Sequence, residues 1–288
     1  MSEIQNLLDA DEDNVKNCKR LFNDFSPELS QSLDDCANFY SIFLRVLSRT
    51  FKDDIDQSII ESTGNNKDIH EHVSAKNRFW SRRARATLLL LTYRSFMWAV
   101  TDIYRIRITA SMNHVRQQIE SAFYMNLIYL EPHIAEEWFN VGTRIKGRKF
   151  FVKYKEKLRN FCDEQRLAET YNRISGSASH SRLSSVIYSM EIKSNVVENR
   201  YEDIYSIKMQ EVNEDKPEQL ILAVLSFLDD QIKLFDAILK ALPEMNDPLL
   251  RETRLPTLKN KVYRLFRMLN EISYGGKRTN SINNVNKD

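Results

Sequence analysis

The amino-acid sequence predicts an all-α fold: a single multi-helix bundle of about eight to ten helices, with one short hairpin within 191–212. Three observations predict it. Six glycines and six prolines in 288 residues supply little turn material, which a β fold needs often and a few long helices need rarely. Apolar residues recur at helical spacing through most of the chain. No long linker and no repeat of 20 to 50 residues divides it. Residues 1–274 therefore read as one helical domain, and 275–288, beginning Gly275-Gly276, as a tail disordered by composition.

Taken in order, residues 1–50 predict two helices. The second starts at Ser26-Pro27-Glu28, which places a capping hydroxyl, a proline at the first helical position and an acid in the first turn. "ESTGNNKD" at 61–68 is a polar connection. A long helical region follows from about 75 to 130, with one break that the pattern does not locate. Glu131-Pro132 ends it, because proline disfavours helix in the residue before it. Helix resumes through "HIAEEWFNVG". Gly142 and Gly147 bracket a turn, and one basic helix covers "RKFFVKYKEKLRNFCDEQRLAETYNRIS". Another helix runs to about Met190. Residues 191–216 are acidic and irregular, and their Val-Val and Ile-Tyr-Ser-Ile pieces predict the hairpin. The segment from Pro217 through "EQLILAVLSFLDDQIKLFDAILKAL" is the clearest amphipathic helix. Pro243, Pro248 and Pro256 punctuate a loop, and a last helix covers about 257–273.

The net charge of +2 gives no global argument for nucleic acid or membrane. Cys18, Cys36 and Cys162 are odd in number and widely spaced, which is neither a disulfide framework nor a metal-binding pair. No basic-then-apolar segment opens the chain, and no uncharged run exceeds ten residues, the length of Ser121 to Leu130. A membrane helix needs about 20. The expectation is a cytoplasmic protein with no membrane association.

Two local charge runs stand out. Val73 to Thr101 holds Lys76, Arg78, Arg82, Arg83, Arg85 and Arg94 and no acid. Arg144 to Arg159 holds eight cations against Glu156. Such runs build phosphate-binding surfaces, with Trp80 a candidate stacking residue. They also occur as solvated helix faces whose acidic neighbours sit across a groove.

The stretch "YNRISGSASHSRLSS", 171–185, combines small residues with Arg173 and His180. On one continuous helix Arg173, Ser177 and His180 share a face. If instead Gly176 ends a helix and Ser177 caps the next, His180 lies in a first turn that favours an anion. Either geometry suits a phosphate. The plainer reading is close helix packing, with Arg173 and His180 bonded to carbonyls or to an acid such as Glu120. A near-echo lies upstream: "RITASMNHVR" from Arg107 and "RISGSASHSR" from Arg173 share Arg, Ile, Ser, His and Arg at equal offsets. Each puts Arg, Ser and His on one stripe: Arg107, Ser111, His114 and Arg173, Ser177, His180.

Arginine followed by histidine near a helix start resembles the motif of the HEPN superfamily. The resemblance implies a helical bundle and a metal-independent ribonuclease of bacterial stress or antiphage defence. It also implies a homodimer whose paired His and Arg promote attack of the RNA 2′-hydroxyl on the adjacent phosphate. On that reading His180 is the general acid or base and Arg173, helped by Arg116, holds the phosphate. Glu120 or Tyr171 orients the histidine, and Ser177, Arg107 and His114 complete the phosphate-binding set. The other class is a non-catalytic helical module that binds a protein partner or a small anionic ligand. No cofactor is expected, and His70-Glu71-His72 does not have metal-ligand spacing on one helix face. Nucleotide-binding, hydrolase and zinc-protease signatures do not occur in the sequence.

Overall fold

The computed structural model describes residues 3–62, 69–141, 144–177, 190–197, 200–207, 217–242 and 249–283, and side chains within 11–46, 77–141, 147–174, 217–242 and 250–273. It is an all-α bundle with nine α-helices among the described residues. They are α1 (Glu3–Phe25), α2 (Pro27–Ser62), α3 (Ile69–Tyr104), α4 (Ile108–Leu130), α5 (Ile134–Phe139), α6 (Arg144–Glu164), α7 (Ala168–Ser177), α8 (Pro217–Ala241) and α9 (Leu255–Asn283). Between α7 and α8 lies an antiparallel pair, β1 (Met190–Val197) and β2 (Arg200–Ile207), with Met190 opposite Ile207 and Val197 opposite Arg200. No helix of the described residues is long and apolar enough to cross a membrane.

Local chemistry sets several ends where the sequence places them. The Glu28 amide donates to Ser26 Oγ at 3.3 Å, so Ser26 caps α2 behind Pro27. α4 stops at Leu130, directly before Glu131-Pro132. The unlocated break after residue 75 falls at Arg105–Arg107. Ile106 adopts φ 58°, its amide donates to the Ile103 carbonyl at 2.9 Å, and the Arg107 amide donates to the Asp102 carbonyl at 2.8 Å. Those two bonds are a Schellman closure of α3.

Three expectations need correction. The basic helix expected over 148–175 is two helices, α6 and α7, because a second Schellman closure interrupts it. Arg166 has φ 59°, its amide donates to Asp163 at 3.1 Å, and the Leu167 amide donates to Cys162 at 2.7 Å. Neither closure uses glycine, the usual left-handed residue, so neither is visible as a helix stop. The loop expected before the last helix includes a π-helical turn, Leu249–Arg254, that runs directly into α9. The backbone of α9 continues to Asn283 instead of ending near 273. Glycine inside a helix costs only about 1 kcal/mol relative to alanine, so Gly275-Gly276 weakens a helix without forbidding it.

The core centres on α8, whose inward face is apolar from Leu220 to Ala241. The Tyr40 ring of α2 lies 5.0 Å from Phe235 and 5.2 Å from Phe96, and Phe96 stacks on Phe227 at 5.9 Å. A buried polar chain crosses this layer. The Tyr40 hydroxyl donates to Gln231 Oε1 at 3.0 Å, and Gln231 Nε2 donates to Gln118 Oε1 at 2.6 Å, which ties α2, α8 and α4 together. Arg85 and Arg251 donate to the Ala241 and Leu239 carbonyls at 3.1 and 2.8 Å, satisfying the C-terminal end of α8. α9 is pinned to α2 by Lys261–Asp35 at 2.6 Å and by Arg264–Glu28.

Candidate functional site

The fold brings three of the sequence-predicted residues together where α4 meets α7. Arg116 Nε donates to Glu120 Oε1 at 2.9 Å, one helical turn along α4. The Tyr171 hydroxyl of α7 donates to the same oxygen at 3.1 Å, and the Arg116 guanidinium lies over the Tyr171 ring at 5.6 Å. Burial pushes the Tyr171 hydroxyl up to about 12, and the charge of Glu120 adds to the rise. Burial lowers Arg116, but the bond and charge of Glu120 outweigh it and leave the guanidinium above its ordinary value. The result is a charge-neutral cluster: one cation, one carboxylate and a phenol that stays protonated.

Arg173 is exposed on α7. Its charge reaches Asp230 of α8, a carboxylate only 2% exposed that accepts from the Thr170 hydroxyl at 2.8 Å. Burial pushes Asp230 up to about 6 against the opposing pull of Thr170, Lys233 and Arg173. α7 runs unbroken through Gly176 to Ser177, so Gly176 does not end a helix ahead of a Ser177 cap. The Ser177 side chain and all of His180 lie outside the described residues.

The upstream stretch has a different setting. Arg107 sits in the closure ahead of α4, whereas Arg173 lies within α7, so the two echoes occupy unlike backbone positions. Arg107 Nη2 donates to both Asp11 carboxylate oxygens at 2.8 and 2.7 Å. His114 Nε2 lies 3.4 Å from Asp102, and its ring stacks near Trp98 at 6.4 Å. Asp102 is raised by burial, and His114, Arg107 and Arg105 partly offset that. Both Arg107 and His114 thus have acidic partners on α1 and α3, and the network locks the α3–α4 turn.

The two charge runs divide the same way. Arg85 is buried and serves the end of α8, and Trp80 packs edge-on against Phe139 at 5.3 Å with Arg83 over its ring at 5.7 Å. On α6, Lys153 pairs with Glu137 at 2.7 Å and Lys157 with Glu131. Arg148, Lys149, Lys155 and Arg159 remain exposed and make no ion pair among the described residues. Arg148, Val152, Lys155 and Arg159 recur at offsets of four, three and four, which is one outward stripe opposite the buried Phe150, Tyr154, Leu158 and Phe161.

Among the described residues no group of three His, Cys, Asp or Glu is placed to hold a metal ion. The three cysteines are buried free thiols, with Cys18 and Cys162 pushed up to about 12 by burial. A cleft of about 580 Å³ between α2 and the π-turn is lined by residues that sequence reasoning did not single out, Arg45 and Arg254 among them. The one available signal was the cation pair Arg251 and Arg254 at a proline-punctuated helix start. Compared with known proteins, the chain matches no family model, no curated protein and no solved structure.

Proposed function

We propose that this chain is a non-catalytic helical module that binds single-stranded RNA along the outer face of α6. The observation that carries the reading is the sorting of the α6 cations. Lys153 and Lys157 are neutralised by Glu137 and Glu131, while Arg148, Lys155 and Arg159 lie along one exposed stripe, with Val152 between the first two and Lys149 beside it. At 1.5 Å per residue the stripe is roughly 16 Å long, enough for about three successive phosphates. Neutralising three phosphates of a single strand gives a slope of about −2 in log affinity against log salt. The test is fluorescence anisotropy with labelled oligouridylate across a salt series. Lys155→Glu with Arg159→Glu lowers affinity and flattens the slope, and Lys153→Glu has the smaller effect because that cation already serves Glu137. A slope near zero in the wild type sinks the reading.

A second reading, metal-independent RNA cleavage of the HEPN type, is favoured by the meeting of Arg116, Glu120 and Tyr171 beside α7. On this reading His180 moves the proton and Arg173 holds the phosphate, in a homodimer. RNA cleavage and growth arrest by the wild type, both lost in a folded His180→Ala variant, support it. Equal behaviour of the two proteins ends it.

A further inference from the structure

We infer that the outward face of α3 is the contact between two copies of this chain, which pair antiparallel about Met97. Nine large apolar side chains are exposed among the described residues, and three of them, Leu90, Met97 and Trp98, fall close together on α3. They are 54%, 44% and 53% exposed. At 3.6 residues per turn they share one face with Arg94 and Thr101, opposite the buried Leu88, Thr92 and Ala99. Apolar groups gathered on one exposed face mark a docking surface. The composition is that of an interface centre: tryptophan, methionine and arginine, with no lysine or acid from Asn77 to Thr101.

Arg94 decides what covers this face. It stands in the middle of the stripe, is exposed, and makes no ion pair among the described residues. A partner must offer its guanidinium a carboxylate or the face of an aromatic ring. The stripe itself holds the second, Trp98, one helical turn on. His114 lies 6.4 Å from the indole ring and nearly parallel to it, at 23°, yet half of Trp98 still faces solvent. A two-fold axis perpendicular to α3, midway between Arg94 and Trp98, sets Arg94 of each copy over the partner's Trp98. The same axis brings the two Met97 side chains together and Leu90 against the partner's Thr101. An isologous contact needs residue i to fit j and j to fit i, and an Arg–Trp pair four residues apart meets that condition. Any register that sets Arg94 on its own copy joins like charges with no acid between them. The stripe from Thr87 to Thr101 is only about 21 Å long, which offers less than the roughly 800 Å² per partner of a standard interface. The pair is therefore reversible, half-assembled at about 1–100 μM. The face shares no residue with the α6 stripe or with Arg116, Glu120 and Tyr171, so it stands apart from both readings above.

The test is sedimentation velocity of the full chain from about 1 to 300 μM. Wild type is compared with Leu90→Asp, Trp98→Arg, and Trp98→Arg combined with Arg94→Trp. All three positions are exposed, and circular dichroism checks that the variants are folded. Wild type is expected to pass from monomer to dimer with concentration. Leu90→Asp and Trp98→Arg each weaken dimerisation by about tenfold or more, the second because arginine then faces arginine. The combined exchange restores it to within about threefold of wild type, because each arginine again meets a tryptophan across the axis. A wild type that is monomeric at about 300 μM overturns the inference, whether it stays free or sediments with phosphatidylserine–phosphatidylcholine vesicles, the mark of a lipid-facing stripe. So does a dimer that Leu90→Asp and Trp98→Arg leave intact, which uses another face. An exchanged protein no tighter than Trp98→Arg alone overturns it as well.

Discussion

Asp230→Asn stabilises the fold at neutral pH and removes a specific part of its pH dependence. Asp230 is 2% exposed and has one neutral donor, the Thr170 hydroxyl at 2.8 Å. Its cation, Lys233, stands off at 3.6 Å and pairs more closely with Asp229 at 2.8 Å. Burial therefore dominates and raises the carboxyl from 3.8 to about 6. Between those two values the folded state holds a proton that the unfolded chain has released, so this contribution to stability is complete below about pH 4 and is lost as pH rises through 6. At about 1.36 kcal/mol per pH decade, the interval corresponds to roughly 3 kcal/mol. Asparagine keeps an oxygen for Thr170 and carries no charge. Paired urea titrations of wild type and Asp230→Asn at pH 4, 5, 6 and 7 read the effect directly. The difference between the proteins should move in favour of the variant by roughly 3 kcal/mol across the series, because other groups titrate alike in both. A difference that stays constant with pH, or moves in favour of the wild type, refutes the account of Asp230 as a carboxylate strained by burial.

Two further predictions concern the frame that holds the sites. Arg166→Gly relieves an exposed arginine at φ 59°. The left-handed conformation costs a non-glycine residue about 1–2 kcal/mol, part of which returns as glycine's greater freedom in the unfolded chain. A net gain of about 1 kcal/mol raises the melting midpoint by about 2–4 °C in calorimetry, and a lower midpoint contradicts it. Gln231→Leu orphans the Tyr40 hydroxyl and Gln118 Oε1, both fully buried. The expected loss is about 3 kcal/mol by chemical denaturation. Replacing Tyr40 by Phe and Gln118 by Leu in the same protein should recover most of it, since the cost comes from unpaired groups and not from lost volume.

The sequence by itself determined the helical class and the ends written in local chemistry. Ser26-Pro27, Glu131-Pro132 and Pro217 act on their own backbone neighbours, so no distant contact is needed to read them. It also singled out Arg116, Glu120 and Tyr171, although only the last crosses to another helix. Tertiary structure decided the rest. Ile106 and Arg166 occupy left-handed positions that neither residue favours alone; at Ile106 the Arg107–Asp11 and His114–Asp102 pairs hold the turn in place. Asp11 and Arg107 are 96 positions apart, and Arg45 and Arg254 belong to opposite ends of the chain. Local periodicity carries no information about such pairings, because it reports which face of a helix is apolar and not which helix covers it. For the same reason the two cation runs look alike as sequence. Glu137 of α5, Glu131 just after α4 and the end of α8 take Lys153, Lys157 and Arg85 into the structure and leave the α6 stripe facing outward.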